Sequence, residues 1–196
     1  MARVFLVRHG ETALNAARVL RGQLDVPLNS AGEAQAAALG EAFREVPLRV
    51  VVSSPLNRAA DTAREVAVAS GARLEFDDRL RDRCYGEWAG HPLEEVEAVF
   101  GSINDAPGVE ERQLFEARVE QAFHDAVDGS SADARGAVVL VAHDVVITTL
   151  IGLLVPGLVP RELKLPTGSW SELEREPGGG WTAVRLGELP TGVSRP

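Results

Sequence analysis

The chain has 196 residues, 45% of them hydrophobic, which is enough to bury one sizeable core and predicts a single domain over residues 1–196. A single cysteine, Cys84, excludes an internal disulfide. The formal net charge is -9 and the 20 basic residues form no run or stripe, which argues against nucleic-acid and anionic-membrane partners and requires any anionic ligand to be held by a local cluster.

The first predicted element is the apolar run Val4 to Val7, a strand that leads straight into Arg8-His9-Gly10. Neither a basic flank nor a long apolar region precedes it, so no signal peptide is read and a cytoplasmic location is expected. Ser30 is placed to cap a helix, with Glu33 closing a capping box, and the amphipathic pattern runs through "AGEAQAAALGEAFREV" to Pro47. Arg49 to Val52 is a second strand, followed by a helix from Pro55 to near Gly71 and a weaker strand at Arg73 to Phe76. Helical patterns cover Pro92 to Phe100, Glu111 to Val127 and Val145 to Leu154. The apolar stretch from Ala137 to Val159 is long enough to raise a membrane span, but His143 and Asp144 lie near its middle, so it reads as a strand, Ala137 to Ala142, and a buried helix. "WSELEREPGGGWTAVRL" alternates about a Gly-rich turn and predicts a hairpin, after which about 188–196 form a loose tail. The alternation predicts an α/β three-layer sandwich, a mostly parallel central sheet flanked by helices.

The chemistry-bearing residues follow the strands. His9 follows the first, Ser53, Ser54 and Arg58 the second, and His143 the strand "AVVLVA". In a parallel sheet such βα turns emerge along one edge, where ligands bind. Arg8 and Arg58 offer donor forks for phosphate oxygens, and helix N-termini add backbone N–H groups. A neutral imidazole can attack phosphorus, which makes His9 the candidate nucleophile, while His143 can stabilise charge on an equatorial oxygen. The leaving oxygen needs a proton, and the loop "LRDRCYGEWAG" supplies Asp82 and Glu87 as candidate acids.

Four ordered blocks, "LVRHGETALN", "SSPLNRAADTA", "RDRCYGEWAG" and "VAHDVVI", resemble the histidine phosphatase superfamily, which includes the cofactor-dependent phosphoglycerate mutases. The resemblance implies a phosphoglycerate mutase-like fold, phosphorylation of His9, and phosphate contacts from Arg8, Arg58, His143 and Asn15. Arg21 stands where the family usually has glutamine, and Asp82 stands where its acid is typically glutamate. Asp82-Arg83-Cys84-Tyr85 partly matches the mutases' Glu-Arg-x-Tyr, which implies substrate contacts from Arg21, Arg83 and Tyr85. The mutases' further lysine falls near Leu93, the only lysine here is Lys164, and no Arg-Arg pair exists. "GEWAG" is the phosphatase-like form.

The expectation is therefore a phosphomonoester hydrolase acting on a small phosphorylated substrate, with no cofactor and no metal; a mutase and a non-catalytic phospho-ligand binder are the alternatives. A cysteine-based phosphatase would need arginine six residues after its thiol, where Gly90 stands, and the four histidines lack metal-ligand spacing. The acidic segment Gly90 to Leu114 is where substrate choice is expected to lie, and an acidic lid there would disfavour highly charged substrates. Nothing in the pattern specifies an oligomeric state.

Overall fold

The computed structural model describes residues 2–17, 19–129, 136–159 and 162–190. Six strands form one sheet: β1 (Arg3–Arg8), β2 (Leu48–Ser53), β3 (Arg73–Phe76), β4 (Ala137–Ala142), β5 (Trp170–Arg175) and β6 (Trp181–Glu188), in the order β3-β2-β4-β1-β5-β6. The first four are mutually parallel; the C-terminal hairpin adds β5 antiparallel to β1, with β6 antiparallel beyond it. The sheet is thus mixed but mostly parallel. Six helices connect or flank it: α1 (Ala13–Ala16), α2 (Ser30–Phe43), α3 (Asn57–Ser70), α4 (Leu93–Phe100), α5 (Arg112–Asp128) and α6 (Asp144–Leu154).

Side-chain alternation along the strands divides the core into two layers. Phe5, Val7, Val51, Val139 and Val141 pack with Leu39 and Phe43 of α2 and Ala63 and Val66 of α3. Val4, Leu6, Val138 and Leu140 pack on the opposite face with Phe115, Val119 and Phe123 of α5 and Ile147, Leu150 and Ile151 of α6. Because β4 is sandwiched between β1 and β2 and covered on both faces, all six of its residues are buried, which accounts for its unbroken apolar run. The stretch from Ala137 to Val159 therefore splits into strand and helix. Among the described residues no helix is long and apolar enough to cross a membrane.

Two local expectations are corrected. The cap of α2 is Asn29, not Ser30: Asn29 is extended and its Oδ1 accepts the Gly32 N–H at 2.8 Å, while Ser30 is already the first helical residue. The helix also stops at Phe43, short of Pro47. At the C-terminus Glu188 is the last residue of β6, and residues 191–196 of the expected tail lie outside the described residues.

A close approach fixes the turn after β1. A Cβ on Gly10 would stand 2.4 Å from the Gly32 carbonyl oxygen, and one on Gly32 would stand 2.0 Å from that of Glu11. Only glycines let the His9 turn rest on the first turn of α2.

Candidate active site

The C-terminal ends of β1, β2 and β4 bring His9, Ser54 and His143 together. The His9 and His143 rings stand 5.2 Å apart, edge to face. His9 is wholly buried, and its backbone is tied on both sides, to Ala142 of β4 and to Gly168 before β5. Its Nδ1 lies 2.6 Å from its neighbour Gly10's carbonyl, which can only accept, so the ring proton resides on Nδ1 and Nε2 carries the lone pair. Burial, followed by the nearby Arg58 and Arg8 guanidinium groups, pushes the imidazole well below the ordinary histidine range. His9 is neutral at physiological pH and presents an unprotonated nitrogen.

His143 sits at the N-cap of α6 with its Nε2 2.9 Å from Ser54 Oγ. Ser54 Oγ accepts from the Leu56 N–H and has a proton of its own to donate to Nε2, the arrangement in which the His143 proton is on Nδ1. That Nδ1 lies 3.9 Å from Asp82 Oδ2. His143 is likewise held well below its usual range, first by burial and then by Arg58.

Arg58 enters from the first turn of α3 and has no exposed surface. It donates through Nη1 to Leu24 O at 2.7 Å, and through Nη2 to Gly22 O at 2.8 Å and Asp82 Oδ2 at 3.2 Å. Burial lowers its pKa, with Asp82 opposing. Arg8, at the end of β1, donates to the Leu165 carbonyl and lies 3.6 Å from Asp144. Six buried side-chain atoms lack a hydrogen-bond partner among the described residues, and five of them belong to His9, His143, Arg8, Arg21 and Arg58. Three of those five are guanidinium Nε–H donors. A buried donor without an acceptor is costly, and three arginines bordering one unprotonated imidazole are what a tetrahedral oxyanion would satisfy.

Asp82 is 3% exposed. Burial raises its carboxyl above the usual range, against the pull of Arg58 and Arg21. Its loop is pinned by α5: Arg118 donates to the carbonyls of Arg79, Arg81 and Asp82 at 2.5, 2.8 and 3.1 Å, and its Nε and Nη2 pair with Glu110, which also receives the Cys84 N–H. Glu87, the other candidate acid, is exposed on a short 3-10 turn, Gly86–Trp88, and does not line the cavity.

That cavity, of about 550 Å³, opens beside Asp82 and is lined by Arg8, Asn15, Arg21 and Tyr85 among others. Asn15 Oδ1 accepts from the Thr12 N–H and hydroxyl, leaving its amide NH2 available to donate. The Tyr85 phenol is pushed up by burial, then by Asp82, and stays protonated. Arg83 is the one expected substrate contact turned elsewhere. Its guanidinium donates to Glu110 O and to Asn104 Oδ1 and lines a separate cavity between the α5 and α6 surfaces. Trp88 packs on Phe100 and His91, away from the pocket. Among the described residues no cluster of three or more His, Cys, Asp or Glu is spaced to hold a metal ion.

Three contributors carry no local sequence signal. Arg118 and Glu110 act on the acid loop from α5 and its approach, and Asp144, first residue of α6, reaches the cavity wall. Only Asp144's position directly after His143 could have drawn notice.

Fold and site together define an α/β protein that gathers arginine donors around a neutral imidazole at a sheet edge. The chain belongs to the histidine phosphatase superfamily (branch 1), whose family model matches residues 4–188. Its curated relatives include the protein named probable phosphoglycerate mutase GpmB of Salmonella choleraesuis, 30% identical over 207 aligned residues that span 96% of this chain and 94% of that protein. A mycobacterial glucosyl-3-phosphoglycerate phosphatase, solved with inorganic phosphate, is 29% identical, with a TM-score of 0.79 and coverage of 97% of this chain and 99% of its own. A phosphoglycerate mutase of Bacillus anthracis shares the fold, at 24% identity and a TM-score of 0.85, over 95% of this chain and 93% of its own.

Proposed function

We infer that the protein is a phosphomonoester hydrolase working through a phosphohistidine on His9. The observation that carries this reading is the buried, unprotonated Nε2 of His9 bordered by arginine Nε–H donors that have no partner among the described residues. Arg8, Arg21, Arg58 and the Asn15 amide bind the phosphoryl oxygens, and His143 donates Nδ1–H to one of them. Since His9 has no exposed surface, the phosphate enters as Arg8 and Arg21 exchange the Leu165 and Val19 carbonyls for its oxygens. Nε2 then bonds to phosphorus, the ester P–O bond breaks, and protonated Asp82 gives its proton to the departing alkoxide. In the second half water attacks the phosphohistidine, its proton returns to Asp82, and inorganic phosphate leaves with Nε2 restored.

Hydrolysis is favoured over mutase chemistry by Leu93, which lines the cavity near where the mutases place a cation. A mutase must hold a phosphoglycerate carboxylate while the phosphoryl group waits on the enzyme. Here the wall at that position is apolar. The name of the Salmonella relative keeps the mutase as the second reading, and a non-catalytic binder would not need the raised carboxyl of Asp82.

Brief incubation with a radiolabelled phosphomonoester is expected to label His9 in a form labile to acid and stable to base. EDTA is expected to leave the rate unchanged. Wild-type turnover by His9→Ala, or a rate abolished by chelation and restored by zinc, overturns the reading. Interconversion of 3- and 2-phosphoglycerate faster than phosphate release makes the protein a mutase.

A further inference from the structure

The alcohol side of the cavity has a composition of its own. Beyond the residues that face the phosphate, the wall is apolar, built by Val19, Leu20, Leu93, Val145 and Pro166. Among the described residues its only other ionisable groups, apart from the protonated Tyr85, are the carboxylates of Glu11 and Asp144. None of the acidic residues of the 90–114 segment lines it; from that segment only Leu93 does. The expected acidic lid is therefore not the filter, and the negative charge comes from turns beside the two catalytic histidines.

Glu11 is oriented by the Asn29 amide at 2.8 Å. Asp144 is 44% exposed at its side chain, close to Arg8, and also lines an adjoining cavity of about 490 Å³ that contains Lys164. Arg8 and Asp144 line both cavities, so the Asp144 carboxylate stands at their shared border. Among the described residues, no cation outside the phosphate-binding arginines lines the main cavity.

We propose that the substrate's alcohol moiety presents an apolar face and carries no second anionic group, and that Asp144, aided by Glu11, is the residue that rejects carboxylate-bearing phosphates. This rests on the phosphomonoesterase reading of the same pocket. A like charge several ångströms away in a partly screened cleft disfavours binding by about five- to tenfold.

The test compares two esters of one skeleton, glycerol 1-phosphate and 3-phosphoglycerate, which differ by CH2OH against COO⁻. We expect kcat/KM to favour glycerol 1-phosphate by about tenfold, and benzyl phosphate to show a lower KM than either. Asp144→Asn also frees Arg8 from a nearby carboxylate, but that change acts on both esters and cancels in their ratio. It is expected to narrow the ratio by about three- to tenfold. Leu93→Lys, which adds a cation to the apolar wall, should narrow it as well and serves if Asp144→Asn folds poorly. A ratio at or below parity, or one that neither variant changes, overturns the proposal even when p-nitrophenyl phosphate is hydrolysed normally. If no ester is turned over, the hydrolase reading fails separately. Calorimetric titration with the same pair then decides the preference: tighter 3-phosphoglycerate binding overturns it, and tighter glycerol 1-phosphate binding upholds it.

Discussion

His9 and Asp82 have ordinary pKa values on the wrong sides of their tasks, and burial moves each toward the state its task needs. The imidazole goes down from 6.5, toward the neutral form that a nucleophile needs, and the carboxyl goes up from 3.8, toward holding the proton that the proposed acid must give. The sign of the pH dependence follows. As pH rises through the raised value of Asp82 the acid is lost, so kcat/KM for an alkyl phosphate should fall on the alkaline side. With p-nitrophenyl phosphate, whose phenolate departs with little help, that limb should flatten. Asp82→Asn should then cost about 10² to 10⁴ in rate with the alkyl ester and far less with the aryl one. Asp82 already touches Arg58 at 3.2 Å, so its loop lies close to the site, and in Asp82→Glu the extra methylene should overshoot and slow the reaction. Equal limbs for both esters, or a harmless Asp82→Asn beside a severe Glu87→Gln, would mean that the proton comes from elsewhere.

The acid loop has little regular structure between the 3-10 turns Asp78–Leu80 and Gly86–Trp88, and its position is imposed by α5. One guanidinium, Arg118, collects three of its carbonyls while Glu110 neutralises that charge, so the loop is held by a single polar hub. Hydrogen bonds to a charged group contribute roughly 1.5 to 3 kcal/mol each, enough to fix a loop of this length. Arg118→Met should loosen the loop without touching the phosphate residues. The expected signature is a fall in kcat of about tenfold or more with alkyl phosphates while p-nitrophenyl phosphate is largely spared, since only the proton donor is misplaced. An equal loss with both esters would place Arg118's role in overall stability instead. This hub also explains why Arg83, beside Asp82 in sequence, faces away: its guanidinium caps Glu110 O and Asn104 rather than the cavity. The resemblance to the mutases' Glu-Arg-x-Tyr pattern implied a substrate contact for it, and its guanidinium lines the separate cavity by α5 and α6.

Across the whole molecule, what sequence could supply was the part set by strand periodicity. His9, Arg58 and His143 were legible because each follows a buried run, and a parallel sheet sends all such turns to one edge. Helices α2 to α6 were legible from amphipathic spacing and the four-residue α1 was not, while the α2 cap moved one residue because Asn29 takes the Gly32 N–H. Arg118, Glu110 and Asp144 were not, because their roles depend on the packing of α5 and α6 against loops distant in sequence. That packing also stores a cost: five buried site atoms have no hydrogen-bond partner among the described residues, and two of them belong to histidines that the fold holds neutral. For His9 and His143 the folded pKa is depressed, so the stability they carry is present above about pH 6.5 and is lost as pH falls. Asp82 is raised and acts oppositely, but one carboxyl against two imidazoles leaves the unfolded chain binding more protons just below pH 6.5. Melting temperature should therefore climb from pH 5 to 6.5. An anion that satisfies the arginines should stabilise further: inorganic phosphate at a hundredfold its Kd adds about 2.7 kcal/mol. At roughly 2 to 4 °C per kcal/mol for a chain of this size, the shift is about 5 to 11 °C. Arg58→Met should abolish most of that shift. If chloride at matched ionic strength raises the melting temperature as much as phosphate does, the effect is general screening and the cluster is not an anion site.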